Sequence, residues 1–135
     1  MLPDCAIDHA IHYQVPVELV AAVQRAESGA IGQRVGRVGP NSNGTYDLGA
    51  MQINTWWIQD AGEKSLINWG ITEQELLQNP CTNFAVGTWL LDKNLRRYQG
   101  DVVAALSAYN TGRPDSPVGV EYAWRVIENL SIKEY

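Results

Sequence analysis

Three short stretches of this chain carry side chains that could do chemistry. Glu27 closes an apolar helical pattern and is followed by Ser28-Gly29. Residues 43–54 read NGTYDLGAMQIN and stop just short of Trp56-Trp57. Ala108-Tyr109-Asn110-Thr111-Gly112 places a phenol, an amide and a turn glycine after another apolar helix. At a helix C-terminus the dipole presents partial negative charge, which disfavours an ionised carboxylate. An apolar setting pushes the same way by desolvation. A glutamate so placed keeps its proton near neutral pH and can donate it, as a general acid must. Taken alone, Glu27 reads more simply as an exposed helix-terminal carboxylate.

Asp47 ends an extended piece, and Gly49 two residues later permits close approach of a backbone or ligand. Gln52 and Asn54 alternate with Met51 and Ile53. Alternation puts the two amides on one side, able to hydrogen-bond the hydroxyls or acetamides of a sugar. A plainer reading has Asp47 bonding loop amides in a local turn network. That suits Asp47 better than it suits the whole cluster. Tyr109 by itself reads as a core residue with a satisfied hydroxyl. Trp56 and Trp57 are neighbours on a short helix and face different ways, so one packs while the other is free to stack on a sugar ring. His9 and His12 share a helix face, but no carboxylate or cysteine partner is evident, and surface placement accounts for them. No metal and no cofactor is expected.

These residues need elements to hold them. Residues 3–13 form a short helical pattern. Pro16 suits a first helical turn, and Val17, Val20, Ala21 and Val23 continue at helical spacing to Glu27, with Gly29 as the stop. Residues 29–46 are rich in Gly, Asn and Ser, and a long loop in a compact domain is usually functional. Arg34–Val38 and Thr45–Leu48 flank Gly-Pro-Asn-Ser-Asn-Gly, a hairpin-like signal. A short helix is predicted from Asn54 to Asp60. Thr72-Glu73-Gln74-Glu75 fits a capping box. Asn79-Pro80 opens the longest helix, Cys81 to Tyr98, with Gly100 past its end. Asp101 caps Val102–Tyr109, Pro114 and Pro117 break the chain, and Val120–Leu130 is the last helix. The sum is mainly α with one small β element in a single domain, 1–135.

A net charge of −5 argues against nucleic acid or an anionic membrane as partner, because both need clustered Lys and Arg. Arg34 with Arg37, and the pair Arg96-Arg97, read as solvated faces. No apolar run approaches the 18 or so residues that span a membrane. The opening MLPDCAIDHA has neither the basic nor the apolar region of a signal peptide. That fits a cytosolic chain, or a mature secreted one on which Met1 is an added start. Cys5 and Cys81 can pair in only one way. A bond closing so long a loop would contribute roughly 4–5 kcal/mol and requires an oxidising compartment. Two unpaired buried thiols are the alternative.

Taken together, the stretches resemble the soluble lytic transglycosylase (SLT) domain. The likeness rests on Glu27-Ser28-Gly29 and Asn43-Gly44-Thr45 with Asp47-Leu48-Gly49-Ala50-Met51-Gln52-Ile53-Asn54. It continues through Asn79-Pro80-Cys81-Thr82-Asn83 with Gly87, Ala108-Tyr109-Asn110 with Gly112, and Tyr122-Ala123 with Arg125-Val126. It is nearest to the small members that accompany type III or type IV secretion, conjugation or type IV pili. The resemblance implies a lysozyme-like (goose-type) helical domain with a small β-hairpin lobe. It implies cleavage of the MurNAc–GlcNAc bond of peptidoglycan without water, with Glu27 as acid and base. Ser28, Met51, Gln52, Tyr109 and Asn110 would line the cleft. Cys5 and Cys81 resemble a disulfide of small periplasmic members, which implies the periplasm, with a signal peptide removed. A monomer, without membrane insertion, is the expectation.

Asp47 complicates the picture, because it also resembles the second carboxylate of animal-type lysozymes. A Glu27/Asp47 pair would permit retaining hydrolysis, and an ionised Asp47 nearby would raise the pKa of Glu27 further. Hydrolysis is therefore one alternative. A non-catalytic peptidoglycan-binding assembly subunit on the same fold is the other.

Overall fold

The computed structural model describes residues 2–28 and 36–130, and of Ser28 the backbone alone. Seven helices and one small sheet make up these residues. The helices are α1 (Asp4–Tyr13), α2 (Val17–Ser28), α3 (Trp56–Gln59), α4 (Glu73–Gln78), α5 (Pro80–Arg97), α6 (Val102–Thr111) and α7 (Pro117–Asn129). The strands are β1 (Arg37–Val38), β2 (Asp47–Leu48) and β3 (Ile53–Asn54), paired antiparallel in that order. Val38 faces Asp47, and Asp47 in turn faces Asn54. The described part of the predicted first strand is Arg37–Val38; Arg34 lies outside the described residues.

The helices begin and end where local chemistry dictates. The Asn79 side chain accepts from the amides of Cys81 and Thr82 at the start of α5, and Pro80 costs nothing at a position whose N–H has no helical partner. Asp101 does the same for α6 through the Ala104 amide. Thr72 caps α4 by accepting from the Glu75 amide. Glu75 does not complete the box. Its carboxylate accepts from Asn79 and Thr82 instead, and so ties α4 to α5.

The core sits between the helices. Val20 and Val23 of α2, Leu91 of α5, Leu106 of α6, and Tyr122 and Val126 of α7 are fully buried. α7 packs on α2 and α6, and α5 packs on α1 and α6. A Cys5–Cys81 disulfide joins α1 to the first turn of α5. Among the described residues no helix is long and apolar enough to cross a membrane.

Three details depart from the sequence reading. The β lobe has a third strand, Ile53–Asn54, because Gly49 and Gln52 turn the chain back beside β2. Pro117 does not break the chain but opens α7 at its first position. Two short 3₁₀ turns, Gly62–Lys64 and Leu66–Trp69, fill the segment before α4.

Candidate active site

A cleft of about 530 Å³ runs between the sheet, α3, α5 and the C-terminal end of α6. Glu27 comes to it from the last turn of α2. The residue keeps some exposure, yet its carboxyl is enclosed by protein atoms. Burial is the main reason its pKa rises from 4.5 to about 7; the hydrogen bond from Tyr122 opposes the rise, the Asp47 charge adds to it, and Arg125 opposes it. Desolvation is therefore the largest cause of the shift. The Tyr122 hydroxyl donates to Glu27 Oε2 at 2.8 Å. Burial, together with the Glu27 charge, pushes the Tyr122 phenol well up. Tyr122 is thus a fixed donor that orients the carboxyl.

Asp47 lines the same cleft. Its two oxygens accept side-chain amide hydrogens, Oδ2 from Asn41 at 3.2 Å and Oδ1 from Asn54 at 3.0 Å. Asn54 also donates to Thr45 Oγ1 at 2.9 Å and accepts from the Trp56 amide at 2.9 Å. Asp47 and Asn54 are therefore held in a local turn network. Asn54 positions Asp47 and the start of α3 and is not a free amide. Gln52 keeps a more open role. Its Nε2 donates to the Gly49 carbonyl at 2.8 Å, its φ is +51°, and it lines the cleft. A non-glycine residue in that region is held by its surroundings, and such strain gathers at functional sites.

Met51 does not lie where the resemblance put it. Its side chain is fully buried, against Gly87 of α5. A Cβ at Gly87 would stand 2.8 Å from Met51 carbons, so only glycine lets the two elements close up. What Met51 offers the site is its carbonyl, which accepts the Tyr109 hydroxyl at 2.7 Å. Tyr109 lines the cleft with its ring while its hydroxyl braces the loop. Burial, then Glu27 and Asp47, push that phenol well up, so it too stays protonated. Asn110 is exposed and lines the cleft. The Ser28 side chain lies outside the described residues. Trp57 packs edge-on against Trp89 at 5.8 Å, while Trp56 is 43% exposed beside it. The pair divides into one packed and one open ring, and both line the cleft.

Two residues that position the site were named in the sequence only as members of the motifs, without a role. One is Tyr122, whose ring belongs to the apolar face of α7. The other is Asn83, buried inside the apolar stripe of α5. Asn83 accepts from the Met51 amide at 2.8 Å and donates to the carbonyls of Leu48 at 2.8 Å and Leu76 at 3.0 Å. It pins both ends of the loop between Asp47 and Gln52. Gly49, at φ +70°, makes room for it: an added Cβ would fall on the Asn83 amide and the Leu76 carbonyl. An amide interrupting an apolar stripe was the available signal for Asn83. Tyr122 offered none beyond its place in the motif.

The fold and cleft define the class: a lysozyme-like helical domain with a small antiparallel sheet and an enclosed carboxyl at the floor of a polar groove. The chain belongs to the transglycosylase SLT domain family, whose sequence model matches residues 4–117. It is 34% identical over 128 residues to "Invasion protein IagB" of Salmonella typhimurium, covering 93% of this chain and 74% of that one. It is 33% identical over 109 residues to "Protein IpgF" of Shigella flexneri, covering 81% and 66%. A "Peptidoglycan-binding-like protein" of Escherichia coli O157:H7 is 29% identical over 110 residues, covering 80% and 64%. Membership supports a lytic transglycosylase-like role associated with peptidoglycan.

Proposed function

We propose that the protein is a peptidoglycan lytic transglycosylase that cleaves the MurNAc–GlcNAc β-1,4 bond and leaves a 1,6-anhydro-MurNAc end. The observation that carries this reading is Glu27: an enclosed carboxyl with a pKa of about 7, oriented by Tyr122 at the cleft floor. In its neutral form Glu27 donates a proton to the glycosidic oxygen as the C1–O bond breaks. As a carboxylate it then takes the proton of the MurNAc C6 hydroxyl, and O6 closes on C1. One residue serves both halves and no water enters, because the nucleophile is already held within the substrate. Asp47 lies in the same cleft, where its charge favours the cationic character that develops at C1. Gln52, Tyr109 and Asn110 are the groups proposed to hold the sugar.

The setting proposed for this activity is the periplasm, where local cleavage opens the wall for a secretion, conjugation or pilus machine. The resemblance to small members that accompany such machines supports this setting, and relatives at 34% identity carry the name "Invasion protein". Asp47 supports a second reading, hydrolysis with the Glu27/Asp47 pair. Mass spectrometry of fragments released from purified peptidoglycan separates the two. Muropeptides one water lighter, ending in anhydro-MurNAc, are expected. Reducing-end MurNAc would move Asp47 into the catalytic pair and defeat the water-free reading.

A further inference from the structure

The α5 wall of the cleft carries charge that this mechanism does not use. Lys93 and Arg97 stand one turn apart on α5 and line the cleft with Lys64 from the 62–64 turn. Three cations facing one groove are unexpected in a chain of net charge −5. Among the described residues no carboxylate pairs with any of them, whereas the neighbouring Arg96 is paired with Asp92 at 2.7 Å. Arg97 gains something from the helix C-terminus; Lys64 and Lys93 do not share that gain. Lys93 is the partly covered member. Burial, then the charges of Lys64 and Arg97, lower its pKa. It is nevertheless held in place, its Nζ 5.0 Å from the centre of the Trp57 ring. Cations gathered against their own repulsion, beside two rings that line the same groove, form a surface completed by an anion on a sugar-bearing ligand.

We propose that Lys64, Lys93 and Arg97 form a subsite for the carboxylates that substituents of muramic acid bring into the cleft. The inference rests on the peptidoglycan reading and deepens it, by making the cleft selective for charged strands over neutral glycans. Those carboxylates have two sources. One is the peptide hung from each muramic residue; the other is the lactyl group left when an amidase strips that peptide away.

The test is calorimetric binding in a Glu27→Gln background, which removes turnover. Three ligands of equal length are compared: peptide-bearing glycan oligomers, amidase-stripped oligomers, and neutral GlcNAc oligomers. Adding Lys64→Gln, Lys93→Gln and Arg97→Gln together is expected to weaken binding of a charged ligand about tenfold more than that of the neutral one. Salt dependence should fall with it, and Lys64→Arg with Lys93→Arg, leaving Arg97 in place, should retain the selectivity. A loss confined to peptide-bearing strands assigns the subsite to the peptide. A loss confined to amidase-stripped strands assigns it to the lactyl carboxylate, and a loss on both charged ligands shows that it accepts either carboxylate. Equal loss on all three ligands, or none, overturns the subsite. Cleavage by the unsubstituted protein is scored on the same strands. Charge-dependent binding without cleavage would sink the transglycosylase reading and spare the subsite; cleavage with charge-blind binding would do the reverse.

Discussion

Replacing Glu27 by Gln should stabilise the protein, and by an amount that depends on pH. A carboxyl whose pKa rises on folding holds a proton that the unfolded chain has already lost. Below pH 4.5 both states are protonated and the residue costs nothing. As pH rises from 4.5 to about 7 the folded state binds more protons than the unfolded one, so stability falls. Above about 7 the cost is complete. The interval between 4.5 and about 7, at about 1.4 kcal/mol per pH unit, makes that cost about 3 kcal/mol. Glutamine keeps the size of the side chain and an acceptor for the Tyr122 hydroxyl but carries no such penalty. Urea or thermal unfolding of both proteins from pH 4 to pH 9 reads the difference. It should be near zero at pH 4, grow through the window and level off above pH 8, where the melting temperature of the variant should be roughly 10 °C higher. A difference that stays flat with pH would show that Glu27 is an ordinary surface carboxylate, and the acid role would fall with it.

Other perturbations act on the same group or on what holds it. Tyr122→Phe removes a hydrogen bond that lowers the Glu27 pKa, so the alkaline limb of the pH–rate profile should move up; Asp47→Asn removes a charge that raises it, so that limb should move down. Limbs that move in the opposite directions, or not at all, would refute this electrostatic picture. Asn83→Ala leaves the Met51 amide and two carbonyls short of a partner, which should cost about 2–4 kcal/mol in chemical denaturation and most of the cleavage activity. Reducing Cys5–Cys81 opens a link across a sequence separation of 76; it should cost about 4 kcal/mol, read as a fall in melting temperature with dithiothreitol that a Cys5→Ser/Cys81→Ser variant does not show.

The helical frame was legible because its signals are local. Asn79-Pro80, Asp101 and Thr72 each mark a start through hydrogen bonds within a few residues, and the caps form as those residues dictate. What the sequence hid depends on long-range meetings. Nothing near Tyr122 in the chain indicates that its hydroxyl meets a carboxylate 95 residues away. Met51 belongs to the motif, yet its side chain turns inward because Gly87 leaves a space for it. The third strand was missed because the alternation over Met51–Asn54 is too short to mark a strand and a turn at Gly49–Gln52 interrupts it. Arg97 was read with Arg96 as a solvated face. Only the fold separates them, pairing Arg96 with Asp92 and setting Arg97 in the cleft beside Lys93.

The electrostatics of Glu27 bear on which of the two carboxylates does what. A residue that must donate a proton in one half of a reaction and accept one in the next works best with a pKa near the working pH. Burial alone would push Glu27 up, and Asp47 pushes the same way; Tyr122 and Arg125 hold it back, and the balance falls at about 7. That value suits a sole acid and base. Asp47 is placed differently. Each of its oxygens already accepts an amide hydrogen, and those bonds fix its orientation within the loop that Asn83 pins. A carboxylate so tethered can stabilise positive charge at a distance, but attacking C1 would require it to weaken bonds that build the lobe. The arrangement therefore favours Asp47 as a fixed charge over Asp47 as a nucleophile, which supports the proposed closure of the ring by the C6 hydroxyl of the substrate.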